Sequence, residues 1–233
     1  MEIIAYHGWG FGSDFWNPWK DLLPREVIFK TAGRGYFFEE IKPRFSNSES
    51  PKILFLHSFG LHWCPPKQIE RADCIVIFNG FRTFHPEEEP AKTMSERVLR
   101  KMISGFKKDP QKVLSEFWKN TFHPFEASYK NTSEIDSSLL LKDLELLDSS
   151  RFNTASFQDG KPIISIDGGR DKILGKPRGK EFTELTKRDA VYHFIQEAGH
   201  SLPATFASDC WSFINAMIPI FRNNGNYRKQ RYQ

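Results

Sequence analysis

Two regularities and one interruption predict the fold class of this chain. Short apolar runs alternate with helix-period segments, which is the pattern of a mostly parallel sheet flanked by helices. The runs close on His, Gly, Ser and Asp, and in such sheets the residues beyond the strand ends build the ligand site. Between residues 81 and 158 the alternation stops and only helical patterns occur. The expectation is an α/β core formed by 1–80 and 159–233, with 81–158 as a helical cap.

Composition narrows the class. A chain of 233 residues fits one α/β core with an insertion. No apolar run reaches the length of a membrane span, and Met1 to His7 lacks the basic start and apolar stretch of a signal peptide. A cytoplasmic protein without a membrane partner, acting as a monomer, is expected. Cys64, Cys74 and Cys210 are too few and too scattered for a disulfide framework or a zinc site, and are read as buried thiols. The net charge of +4 is too small to argue for nucleic acid. With 22 Phe the chain can line an apolar pocket as well as fill a core.

The elements follow in order. Ile3 to Tyr6 is a strand, closed by the glycine-rich turn His7-Gly8-Trp9-Gly10. Asp14 to Leu23 has the period of a helix, with Phe15, Trp16 and Trp19 on one face. Glu26 to Lys30 reads as a second strand, and Phe37 to Phe45 as a short helix that Pro43 breaks. Ile53 to Leu56 is a buried strand that runs into His57-Ser58-Phe59-Gly60, after which Pro65-Pro66 limits any helix to about two turns. Cys74 to Phe78 is a fourth strand, closed by Asn79-Gly80.

In the insertion, Thr93-x-x-Glu96 has the form of a capping box and Asp109-Pro110 that of an N-cap with proline at the first helical position. Leu140, Leu144 and Leu147 mark a third helix. Lys161 to Ile166 restores the strand pattern and ends in Asp167-Gly168-Gly169-Arg170-Asp171. Ala190 to Ile195 is the last strand, followed by Ala198-Gly199-His200 and a helix carrying Phe206, Cys210, Phe213, Ile214 and Met217. The polar, basic stretch from Arg222 to Gln233 reads as a loose tail.

Ser58, an acid and His200 each follow a strand, so a parallel sheet brings them to one edge. Serine is a weak nucleophile until a base takes its proton. Histidine does this near neutral pH, and a carboxylate fixes the histidine's tautomer and stabilises its cation. Asp171 suits the acid through the spacing Gly168-x-x-Asp171, and Asp167 is the alternative, with a turn-forming role as its plain reading. Ser58 alone could equally be a helix N-cap, and the glycine turn a plain loop. His7 and His57 flank the serine and are read as shaping the site. His62 is assigned to packing, His193 to the strand, and His85 and His123 to the surface.

His7-Gly-Trp-Gly10, His57-Ser-Phe-Gly60, the helical insertion, Gly168-x-x-Asp171 and Ala198-Gly-His200 together resemble the α/β-hydrolases. Leu56 stands where the usual G-x-S-x-G elbow has its first glycine. More narrowly the chain resembles the pimeloyl-[acyl-carrier protein] methyl ester esterases of biotin synthesis. The resemblance implies Ser58 as nucleophile, Asp171 and His200 as its partners, and the backbone N–H groups of Trp9 and Phe59 as the oxyanion hole. It implies no metal or organic cofactor, and an acyl-carrier protein as the substrate's bearer. Carrier proteins are acidic, and Lys92 to Lys130 holds nine basic residues against four acidic ones. Arg97, Arg100, Lys101, Lys108 and Lys112 are candidates to dock such a partner, or they form an ordinary solvated helical face. Phe106, Phe117 and Trp118 either line an acyl channel or belong to the core. A general short-acyl carboxylesterase or thioesterase, and a non-catalytic binding protein of the same fold, are the other readings.

Overall fold

The computed structural model describes residues 1–126, 134–157, 161–185 and 190–229. Six strands form one sheet: β1 (Glu2–Tyr6), β2 (Ile28–Thr31), β3 (Lys52–His57), β4 (Cys74–Phe78), β5 (Ile163–Gly168) and β6 (Ala190–Ile195). Their order is β2-β1-β3-β4-β5-β6, and every neighbouring pair is parallel. β1, β3, β4 and β5 are buried along their whole apolar length, as expected for strands covered by helices on both faces. Alternate residues feed two cores. Ile3, Ile53, Phe55, Val76 and Ile164 enter the larger cluster, and Ile4, Leu54, Leu56, Ile75 and Ile163 enter the smaller one.

The first helical segment is a 3-10 turn, Ser13–Trp16, leading into α1 (Asn17–Leu22). After β3 come α2 (Gly60–Trp63) and, restarted beyond Pro65, α3 (Pro66–Arg71). Between β4 and β5 lie α4 (Ala91–Phe106), α5 (Pro110–Phe122) and α6 (Ser137–Leu146). The short α7 (Lys180–Leu185) precedes β6, and α8 (Leu202–Thr205) and α9 (Ala207–Lys229) complete the chain. The expected boundary of the insertion at 158/159, Lys130 of the basic run and residues 230–233 of the tail lie outside the described residues. Among those described, no helix is long and apolar enough to cross a membrane.

Several local expectations are corrected. Phe37 to Phe45 is not helical. Gly33 bridges Ile41, while Phe37 packs in one core cluster and Phe45 in the other, a split that no single helix face allows. Thr93 is not a cap: α4 already begins at Ala91, and the Thr93 hydroxyl donates instead to the Glu89 carboxylate at 2.8 Å. The final helix runs on to Lys229, so the segment from Arg222 to Lys229 is helical rather than loose. Asp109 does cap α5, its carboxylate accepting the Lys112 amide at 3.0 Å.

α6 is fastened to the sheet by polar bonds as well as by leucines. The buried Asp143 accepts Arg34 Nε–H and an Nη2–H at 2.6 and 2.8 Å and the Tyr36 hydroxyl at 2.7 Å. The Trp9 indole donates to Leu140 O at 2.8 Å, and the Trp118 indole to Gly10 O at 2.7 Å. The turn after β1 is thus clamped by both α5 and α6.

Candidate active site

Parallel strands send the turns after β1, β3, β4, β5 and β6 to one edge. The turn after β3 is the tightest. Ser58 sits at φ 53°, in the left-handed region that non-glycine residues seldom occupy. It is held there by its amide, which donates to Phe78 O at 3.0 Å, and by the close approach of α2 to β1. A Cβ on Gly60 would lie 2.5 Å from Tyr6 O, so the second glycine of the elbow is a packing requirement. Leu56, at the first glycine's place, turns to the other face of the sheet and is buried with Ile4, Tyr6, Leu61 and Ile77.

Ser58 Oγ lies 2.8 Å from His200 Nε2, and His200 Nδ1 lies 2.7 Å from Asp171 Oδ2. All three side chains are buried or nearly so. The other Asp171 oxygen accepts the amides of Ile173 and Leu174 at 2.7 and 3.0 Å, which fixes the carboxylate before it meets the imidazole. A carboxylate cannot donate, so Nδ1 carries the proton and Nε2 is free to accept one from Ser58. Asp167 is not part of this chain. It accepts Gly179 N–H at 2.6 Å and lies 3.3 Å from the Tyr192 hydroxyl, inside β5 rather than in a turn. Burial pushes its carboxyl up to about 6.

Neither the Trp9 nor the Phe59 amide donates a hydrogen bond among the described residues. Both residues border the same cavity as Ser58 and His200. The cavity encloses about 660 Å³ and is walled by Phe59, Phe81, Phe84, Leu99, Met102 and Phe117. Phe117 therefore faces the cavity, whereas Phe106 and Trp118 belong to the core. Lys101, Lys108, Lys112 and Lys172 also border it, against Asp109 and Glu116. Arg97 and Arg100 are exposed on α4 but do not border the cavity, and Arg100 lies 3.9 Å from Glu96.

Of the other histidines, His7, His62 and His193 are held by packing and hydrogen bonds. His7 Nδ1 donates to Gly8 O at 2.8 Å and Nε2 accepts the Arg34 amide at 3.2 Å, and burial lowers the ring to about 4. His62 joins α2 to both ends of the insertion, reaching Phe81 O at 3.0 Å and the Ser150 hydroxyl, and burial lowers it to about 4. His193 stacks on Phe213 with centroids 4.0 Å apart. One surface assignment is corrected. His85 is buried between Ser95 and Asp148, at 2.8 and 3.1 Å, because it ties the start of the insertion to the ends of α4 and α6. His123 is partly exposed, and the turn that carries His200 packs on its backbone.

Asn79 joins the site without a motif of its own in the sequence. Its side chain donates to Gly199 O at 3.0 Å and His200 O at 2.7 Å, and accepts the Gly168 amide at 2.9 Å. The one available signal was a polar residue closing an apolar strand beside two site-bearing strands. No group of three or more His, Cys, Asp or Glu among the described residues is placed to hold a metal ion.

This arrangement of strands and turns is the α/β-hydrolase fold. No family model matches the chain, and no curated protein sequence matches it. Solved structures do. A bromoperoxidase from Bacillus anthracis is 16% identical with a TM-score of 0.64, over 94% of this chain and 91% of that one. An esterase from Exiguobacterium antarcticum is 13% identical with a TM-score of 0.69, over 95% and 92%. An enol-lactonase from Burkholderia xenovorans LB400 is 12% identical with a TM-score of 0.70, over 94% and 91%. At these identities the likeness is one of fold.

Proposed function

We propose that this protein is a serine hydrolase of carboxylic esters, and that its substrate is the methyl ester of a pimeloyl group borne by an acyl-carrier protein. The observation that carries the hydrolase reading is the unbroken hydrogen-bonded chain from Ser58 through His200 to Asp171 at the wall of an apolar cavity. In the proposed mechanism His200 Nε2 takes the Ser58 proton as Oγ attacks the ester carbonyl. The oxyanion forms against the free amides of Trp9 and Phe59, each donor contributing about 3 kcal/mol in enzymes of this type. His200 returns the proton to the leaving methoxide, and methanol departs. Water, deprotonated by His200, then releases the acid from Ser58.

Two further observations support the narrower reading. The cavity's apolar wall suits a methylene chain, and the lysines at its border suit an acidic bearer. Lys101, Lys108 and Lys112 would contact that partner, with Arg97 and Arg100 adding long-range attraction from the exposed side of α4. The apolar wall taken alone asks only for an acyl chain, which favours a general short-acyl esterase or thioesterase as the second reading.

The test is hydrolysis of methyl pimeloyl carrier protein by wild type and Ser58→Ala. Release of methanol by wild type, reduced at least about 10⁴-fold in the variant, supports both readings. Cleavage of a nitrophenyl ester without cleavage of the carrier-bound ester leaves the hydrolase reading and removes the substrate. Inactivity on both removes the enzyme and leaves a binding protein of the same fold.

A further inference from the structure

His57 is fully buried beside the nucleophile, yet it does not border the cavity. Its ring stacks on Phe15 with centroids 4.7 Å apart and an interplanar angle of 17°, and its centroid lies 5.1 Å from that of His200. One ring nitrogen, Nδ1, accepts the Gly8 amide at 3.3 Å. The other, Nε2, lies 3.0 Å from His200 O. An amide only donates and a carbonyl only accepts, so these partners require one tautomer, neutral and protonated at Nε2. A second proton on Nδ1 would face the Gly8 N–H. Burial and the nearby His200 also hold the ring well below the usual histidine range.

The two bonds join different parts of the site. Gly8 opens the turn that presents the Trp9 amide, and His200 carries the imidazole hydrogen-bonded to Ser58. The Asn79 amide reaches the same His200 carbonyl at 2.7 Å from the neighbouring strand end. That carbonyl is therefore held from β3 and from β4 at once, while the Gly8 amide is held from β3.

We propose that His57 is a positioning residue, a permanently neutral strut that fixes the spacing between the oxyanion-binding turn and the loop of the proton-accepting histidine. The inference deepens the hydrolase reading and rests on it for its kinetic consequence. Neutrality matters because His200 becomes a cation when it takes the Ser58 proton, and a charged ring at this distance would oppose that step.

The test uses the full chain. Nitrogen NMR of labelled histidine should show His57 as the Nε2–H tautomer across pH 5 to 9, with the His7 and His200 signals assigned beside it. The rate of Ser58 labelling by a fluorophosphonate probe should fall about 100-fold in His57→Phe, the order expected of a misplaced catalytic group. Phe keeps the stack on Phe15 and loses both hydrogen bonds. His57→Gln keeps a donor able to reach His200 O, and should recover about ten-fold of that loss, one hydrogen bond's worth. KM for a nitrophenyl ester should change by less than about two-fold, since His57 lies behind the wall that binds substrate. Labelling of folded His57→Phe at the wild-type rate, or a doubly protonated His57 at pH 6, overturns the proposal. If His57→Phe does not fold, an unchanged rate in His57→Gln together with a titrating His57 overturns it equally. Failure of wild type to react with the probe would remove the hydrolase reading, and the tautomer measurement would still decide whether the strut exists.

Discussion

The end of β5 contains two buried aspartates in two different surroundings. Asp171 lies beyond the strand among the turns that close the cavity, and every bond around it has a purpose. Two amides hold one oxygen and the His200 imidazole meets the other. Asp167 lies within the strand, on the face it shares with Ser165, where α7 packs against β5 and β6. There one carboxylate oxygen has partners, while Asp167 Oδ1 and Ser165 Oγ are buried without any. Both aspartates are almost inaccessible, at 7% and 1%. Burial therefore does not separate them, and pairing does. A carboxylate beside an imidazole that can become a cation is useful to a reaction. One enclosed by amide, hydroxyl and apolar groups costs stability whenever it is charged.

The largest break in this comparison is Asp171→Asn. The amide can present its NH₂ to His200 Nδ1 and favour the wrong tautomer, leaving Nε2 protonated against Ser58. A fall of about 10⁴-fold in kcat at nearly unchanged KM is expected. Steady-state kinetics on a nitrophenyl ester checks it, and a loss below ten-fold would move the acid's role elsewhere.

Asp167→Asn should do the reverse, leaving activity within about two-fold and changing stability. The folded-state carboxyl is raised from 3.8 to about 6, chiefly by burial. Between those values the folded protein holds a proton that the unfolded chain has lost, so stability falls as pH rises through the window. Asn carries no charge and removes this term. At pH 8 the variant should be more stable than wild type by roughly 1–3 kcal/mol, and the advantage should disappear below about pH 4. Denaturant unfolding at pH 4, 6 and 8 measures it. An advantage that does not depend on pH would show that the charge at Asp167 is not the cause.

Much of the candidate site is legible because it is local. Ser58, His200 and the His7–Gly10 turn each follow an apolar strand directly, and the choice of Asp171 over Asp167 rested on a three-residue spacing. Parallel pairing then does the rest without further information. What escaped depends on partners far apart in the chain. Arg34 and Asp143 are separated by 109 residues, and Asn79 and His200 by 121. No local pattern announces such pairs. His85 reads as a surface residue because it falls in the insertion, although Ser95 and Asp148 enclose it. The helix expected across Phe37 to Phe45 fails for the same reason: the two cores that claim its ends lie on opposite faces of the sheet. The six parallel strands and the helical insertion needed only hydrophobic period and turn residues, so they were visible from the start.

The finest test concerns Tyr192, whose register places it opposite Ser165 on β6. Its hydroxyl is 3.3 Å from Asp167 Oδ2, a long bond, and the Tyr is only partly buried. The bond helps the charged carboxyl more than the protonated one, and so opposes the effect of burial. Tyr192→Phe should therefore raise the Asp167 carboxyl further and destabilise the fold by about 0.5–1 kcal/mol, but only above pH 6. Below about pH 3, where Asp167 is protonated in both states, wild type and variant should unfold at nearly the same denaturant concentration. In the Asp167→Asn background the pH dependence should vanish, because the group that Tyr192 favours no longer ionises. A loss that persists in that background at every pH would assign Tyr192 to packing, and would leave burial unopposed by the hydroxyl as the source of the raised proton affinity of Asp167.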